Sequence, residues 1–252
     1  MAKASTPGRA KTRLVPPLSH DQAAALNTAF LQDVGDNVLL AGRHATPDAG
    51  IAGYAAYGPA GSEDFFRRIL PGAIGLIGAW QANFGDCLHQ TITEILARGH
   101  GSAVVLNADS PTLPTALLIE TAAVLARPGD RAVLGPSSDG GYYLLGLKTA
   151  HRRLFEDIAW STGRVAAQTL QRAAEIGLEV HRLPHWYDVD DIDDLTRLHA
   201  ELFADDSPGR SGHQPHFAAQ TAKLMRRLFA DREFSSPAPL RAATVNANGV
   251  LP

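Results

Sequence analysis

Ala103-Val-Val-Leu106 runs directly into Asn107-Ala-Asp109-Ser-Pro-Thr-Leu-Pro114. Four apolar residues without polar alternation, after a Gly-rich turn, suit a strand covered on both faces, as in a parallel sheet. The polar turn, with Pro111 and Pro114, ends that strand, and Thr115–Ala126 follows as a helix. Downstream, an apolar run at 132–134 ends in Gly135-Pro-Ser-Ser-Asp-Gly-Gly141, and Tyr142–Leu147 resumes as a strand. A helix at 164–176, a strand at 178–183 and a helix at 194–203 complete that half. Upstream, a Pro/Gly loop over the first fourteen residues precedes Ser19, which reads as the N-cap of a helix over 21–38. Residues 51–57 alternate weakly as a strand, and 63–70 and 86–98 read as helices, the latter set between Gly85 and Gly99. Strands alternating with helices predict a doubly wound α/β layer sandwich whose ligands sit beyond the carboxyl ends of the strands, where both polar loops lie.

From residue 205 the composition changes, so the chain divides into a catalytic-type domain over 1–204 and a C-terminal segment over 205–252. That segment reads as a linker at 207–215, an amphipathic helix at 217–229 carrying Lys223, Arg226 and Arg227, and a loose stretch at 235–252. Three cations are few for a membrane anchor, so the helix is expected to pack on the body or on another subunit, which leaves room for a homo-oligomer.

Composition excludes several classes. In 252 residues, Lys+Arg 23 against Asp+Glu 26 gives a formal charge of −3, no global field for nucleic acid. Apolar residues make up 45%, enough for a core. A single cysteine, Cys87, excludes an internal disulfide framework and a cysteine-cluster zinc site, and reads as a small core residue. No run approaches a membrane span and the start has no apolar signal region, so a cytoplasmic protein is expected. Of ten histidines only His181 and His185 stand i,i+4, on a segment that Leu183-Pro184 makes extended rather than helical, so they read as ordinary, and no Gly-x-Ser-x-Gly elbow is present.

Four constellations carry chemistry. In Pro7-Gly8-Arg9-Ala10-Lys11-Thr12-Arg13-Leu14, glycine permits close backbone approach and two long cations two residues apart can flank a diphosphate. The P-loop spacing is absent, and taken alone such a loop reads more often as a solvated surface turn than as a phosphate site. Asp109, at the end of a buried strand, suits Mg²⁺ or Mn²⁺ carrying a diphosphate. The other reading of its turn is a helix start capped by Ser110 or Thr112. Ser137-Ser-Asp139-Gly-Gly-Tyr-Tyr143 is either a hairpin turn or a polar set that binds sugar hydroxyls and supplies a base. Trp186-Tyr-Asp188-Val-Asp190-Asp-Ile-Asp-Asp194 holds five carboxylates in seven residues. Asp193 and Asp194 read as helix-terminal charges, whereas Asp188 and Asp190 project to one side of an extended segment, which is costly without a cation nearby.

In this order the segments 3–14, 107–114, 134–145, Trp160-Ser-Thr162 and 186–190 resemble a bacterial family. It is the glycosyltransferase-A-like group described as selenodomain-associated or arsenosugar-biosynthesis transferases, related to the nucleotide-diphospho-sugar transferases. The resemblance covers about residues 1–203. It implies a Rossmann-like GT-A fold, a three-layer α/β/α sandwich with a mostly parallel sheet, binding a nucleotide or nucleotide-sugar with Mg²⁺ or Mn²⁺. Lys3, Pro7, Gly8, Lys11 and Arg13 then form the nucleotide-phosphate loop. Asp109 becomes a metal-bearing acid, and Asp190 a second through likeness to an Ile-Asp-Thr-Pro-Glu-Asp-Leu motif. Asp139 becomes a candidate base, with Ser138, Gly140, Gly141, Tyr142 and Trp160 on the acceptor side. Two departures stand out. The chain begins almost at Lys3, so either its start lies upstream or the sheet is a strand short; and Asn107 replaces the first acid of a D-x-D, which weakens metal affinity or shifts the load to Asp190. The leading expectation is transfer of a sugar from a nucleotide-sugar to a small-molecule hydroxyl. Nucleotidyl transfer from an NTP suits the same cations and acids, and a non-catalytic nucleotide-binding protein is the third alternative.

Overall fold

The computed structural model describes residues 1–203 and 212–230. The 207–215 linker lies partly, and the 235–252 stretch wholly, outside the described residues. The chain is mixed α/β, as its sequence predicts. Three parallel strands, β1 (Ala2–Lys3), β2 (Tyr54–Gly58) and β3 (Gly75–Gly78), lie in the order β1-β2-β3. Four more, β4 (Ala103–Leu106), β5 (Ala132–Pro136), β6 (Tyr142–Leu147) and β7 (Val180–Arg182), lie in the order β4-β6-β5-β7. There β5 and β7 are parallel, and β6 is antiparallel to both its neighbours.

Helices cover both faces. On one side α1 (His20–His44), α4 (Thr115–Ala126), α6 (Ile192–Phe203) and α7 (Ala219–Phe229) bury Leu26, Phe30, Leu117, Leu198 and Met225 against Val133 and Tyr143. On the other, α3 (Phe84–Ala97) and α5 (Val165–Glu175) bury Leu88, Ile92 and Ala173 against Ala132, Leu134, Leu145 and Leu147. The alternation Ala132/Val133/Leu134 is the period of two that a sheet covered on both faces requires. A short helix, α2 (Glu63–Ile69), packs Phe66 beneath Tyr57.

Several boundaries move. α1 runs to His44 rather than residue 38, its buried stripe continuing to Ala41 before Thr46-Pro47 ends it. Its start is as expected: Ser19 accepts from the Gln22 N–H while the Gln22 side chain accepts from the Ser19 N–H. α3 begins at Phe84 because Asn83 caps it by accepting from the Asp86 N–H. The weak strand at 51–57 is β2, shifted to Tyr54–Gly58, and β3 emerges where no strand was expected.

The short first strand leaves a seam. β1 pairs with β2 through Ala2 and Lys3 alone, and the buried Met1 ammonium donates to the Leu106 carbonyl at 2.6 Å, where β4 begins its polar turn. Burial pushes that ammonium down to about 6. Behind it a cavity of about 190 Å³, lined by Val34, Ile74, Ile95 and Leu118, separates β2 from β4.

α7 closes the outer face of α1. Buried Asp33 of α1 accepts from the Gln220 N–H at 2.9 Å and the Thr221 N–H at 2.8 Å, satisfying two first-turn donors of α7. Replacing Asp33 with Ala strands both donors, and a urea titration should show a loss of about 1–3 kcal/mol; unchanged stability would mean that α7 is not held through this carboxylate.

Candidate active site

Lys11 is the centre of the site. The loop between β1 and α1 is anchored by buried Ala10, Leu14 and Leu18, and Asn27 of α1 donates to the Lys3 carbonyl at 3.1 Å and to Ser5 Oγ at 2.8 Å. Lys11 takes the left-handed conformation (φ 50°), unfavourable for a residue with a Cβ, and this turns its side chain inward. The ammonium donates to the Val189 carbonyl at 2.6 Å and pairs with Asp109 Oδ1 at 2.8 Å and Asp190 Oδ1 at 3.5 Å. The Lys11 side chain is only 6% exposed, whereas Arg13 is 66% exposed and reaches Asp190 Oδ2 at 3.2 Å and Asp191 at 3.9 Å.

The two acids come from separate, mutually braced segments. Asp109 follows β4, and its carbonyl accepts from the Val189 N–H at 2.9 Å. Ser110 donates to the Tyr187 carbonyl at 2.7 Å, and Thr112 meets the Tyr187 hydroxyl at 3.3 Å. Neither therefore caps α4, whose N-cap is Pro114 with no side-chain hydrogen bond; their hydroxyls serve the distant 186–190 segment instead. Asp190 is held from its other side. Asp191 Oδ1 accepts from the Asp193 and Asp194 N–H groups, and Asp194 Oδ2 reaches back to the Asp190 and Asp191 N–H groups. This reciprocal cap opens α6 and fixes the turn that carries Asp190.

Asp139 occupies a different place. Its Oδ1 accepts from Ser137 Oγ and from the Gly141 N–H at 2.9 Å. Gly140 (φ +88°) packs so closely on the Gly163 carbonyl that no Cβ fits. Ser138 donates through both its N–H and its Oγ to the Trp186 carbonyl, at 3.0 and 3.1 Å. Trp160 packs edge-on against Phe84, with ring centroids 5.2 Å apart.

Lys3, Lys11, Arg13, Asp109 and Asp190 all line one cleft of about 840 Å³ at the carboxyl ends of β1–β4. Of the acceptor-side group only Tyr142 lines it; Ser138, Asp139, Gly140, Gly141 and Trp160 stand outside that lining. Pro7 and Gly8 belong to the loop, but they too do not line the cleft. The sequence reading missed Arg9, Asn27, Trp80 and Phe84, which line it as well. Trp80 follows β3, lies directly over Gly78, meets Tyr57 edge-on at 5.5 Å and is 50% exposed.

Asp188 links the two areas. Burial, reinforced by the charges of Asp139 and Asp190, lifts its carboxyl to about 6. A raised carboxyl favours folding below its unfolded value near 4, and that contribution is lost as pH rises through about 6. In metal-free buffer, Asp188→Asn should therefore melt progressively higher than wild type between about pH 4 and about pH 7; a pH-independent difference would contradict this.

The expected divalent cation is tested by these contacts. Asp109, Asp190 and the Val189 carbonyl are hard oxygen donors of the kind Mg²⁺ and Mn²⁺ take. All three, however, already converge on the Lys11 ammonium. Among the described residues no group of three or more His, Cys, Asp or Glu side chains is placed to hold a metal. The donor set fits an ammonium, and a metal would have to displace it.

The mixed α/β fold matches that of a solved structure with the same kind of sheet and helix arrangement. A solved protein of Desulfovibrio desulfuricans G20, provisionally named a nucleotide-diphospho-sugar transferase, superposes with a TM-score of 0.75 at 26% identity, covering 91% of this chain and 93% of its own. The chain belongs to the family described as an uncharacterized protein conserved in bacteria (DUF2064), matched over residues 25–162. No curated protein is significantly similar to it. Among the described residues no helix is long and apolar enough to cross a membrane.

Proposed function

We propose that this protein is a glycosyltransferase that takes a nucleotide-diphospho-sugar donor and passes the sugar to the hydroxyl of a small molecule. The observation that carries the reading is the meeting of Lys11 and Arg13 with Asp109 and Asp190 in a cleft of about 840 Å³, a size typical of small-molecule sites. The solved relative from Desulfovibrio supports the donor class. The narrower likeness to selenodomain-associated or arsenosugar-biosynthesis transferases belongs to this reading and rests on the motif pieces alone.

In the transfer, the bond between the anomeric carbon and the diphosphate oxygen breaks, and a bond to the acceptor oxygen forms. The leaving nucleoside diphosphate gathers negative charge. Arg13, exposed and forked, is suited to meet that charge directly. Lys3 and Arg9, lining the same cleft, extend the positive wall. The acceptor hydroxyl gives up its proton to a base; Asp139, its Oδ1 tied by Ser137 and Gly141, is the candidate carried over from the resemblance, although it stands outside the cleft lining, next to Tyr142, which does line it. Trp80 offers a rigid aromatic face at the cleft rim for a planar or sugar ring. Mg²⁺ or Mn²⁺ takes no step in this scheme, because Lys11 holds the acids that would carry it.

Incubation with a panel of nucleotide-sugars should release nucleoside diphosphate; release of pyrophosphate from an NTP instead would establish nucleotidyl transfer. Arg13→Ala should weaken nucleoside diphosphate binding by about tenfold or more, the worth of a charged hydrogen bond. Its melting temperature without ligand should stay near wild type, since the side chain is mostly exposed. Unchanged affinity would remove Arg13 from the donor site.

A further inference from the structure

The Lys11 ammonium has three N–H donors and meets three oxygens: the Val189 carbonyl at 2.6 Å, Asp109 Oδ1 at 2.8 Å and Asp190 Oδ1 at 3.5 Å. Beneath it the Phe30 ring lies 5.6 Å from Nζ, within cation–π reach. The backbone at Lys11 is held in the left-handed region between buried Ala10 and Leu14, so the loop places the ammonium rather than merely tolerating it. Mg²⁺ needs several oxygens at about 2.0–2.1 Å, and the three offered here are already taken by the ammonium. A divalent ion between the same carboxylates would stand on the ammonium and repel it.

We propose that Lys11 is the resident cation of this site: it fills the position between Asp109 and Asp190, diphosphate binding proceeds without a divalent metal, and Mn²⁺ reaches the two carboxylates only when the ammonium is removed. The statement about diphosphate rests on the donor reading above; the statement about Mn²⁺ stands on Lys11 and its oxygens alone. Two carboxylates facing one point need positive charge there, and a lysine supplies it permanently, as part of the fold. Phosphate charge then falls to Arg13 and its exposed neighbours.

The test titrates the full-length protein with Mn²⁺ alone and follows the free ion by electron paramagnetic resonance. Wild type should bind weakly, Lys11→Met should bind one Mn²⁺ about tenfold tighter or better, and adding Asp109→Asn to that variant should abolish the gain. Equal Mn²⁺ affinity in wild type and Lys11→Met overturns the proposal. If thermal melting shows Lys11→Met to be unfolded, wild type and Asp109→Asn decide between them: a tight wild-type site lost in Asp109→Asn overturns the proposal, and equally weak binding by both supports it. A parallel arm measures the thermal shift given by UDP, GDP and ADP in EDTA and in Mn²⁺. Equal shifts in both support the proposal, and a shift confined to Mn²⁺ overturns it. The absence of any shift would reject the donor reading, while the Mn²⁺ titration still decides the role of Lys11.

Discussion

One ammonium ties together three stretches of chain that are far apart in sequence. Lys11 comes from the amino-terminal loop, Asp109 from the end of β4, and Asp190 from the turn before α6. The Lys11 side chain is only 6% exposed, so its charge needs these oxygens, and meeting them braces the loop, the turn and the acid-rich segment against one another. Much of the nearby architecture serves this meeting. Asn27 steadies the loop, Ser110 and the Val189 N–H join the two acidic segments, and the reciprocal cap of Asp191 and Asp194 sets the direction of Asp190. The cleft is the open space left above that junction, and its exposed cation, Arg13, faces it from the same loop.

The junction leaves a surplus of negative charge to one side. Asp188 bears it: partly buried, it makes no ion pair among the described residues, and burial together with the charges of Asp139 and Asp190 lifts its carboxyl. Its charge is coupled both to Asp190 at the Lys11 junction and to Asp139, whose turn otherwise stands apart from the cleft.

The parts of the fold legible in sequence were those with an unambiguous local pattern. Ala103–Leu106 shows a run of unbroken apolar residues and is β4, though its partner β6 runs antiparallel rather than parallel, and Ser19 reads as an N-cap and is one. β3 was invisible because Gly75-Leu-Ile-Gly78 has glycines at both ends, one of them there because Trp80 lies over it. Trp80 itself went unnoticed for the same reason, having no strand to be placed on. The hydroxyls of Ser110 and Thr112 looked equally suited to cap a helix, and only the tertiary partner Tyr187 decides against it. The convergence of the basic loop with the acids was expected from motif order. That a lysine would occupy the place reserved for a metal was not, because spacing along a chain does not tell which donor reaches a point first.

The account turns on a single diphosphate held over the junction of the amino-terminal loop with Asp109 and Asp190. A crystal structure of the full chain with a bound nucleoside diphosphate tests it most directly. The account predicts phosphate oxygens within ion-pairing reach of Arg13, with the ring system toward Trp80 and the Lys11 ammonium still between the two carboxylates. Phosphates lying elsewhere, or out of reach of Arg13, would contradict it.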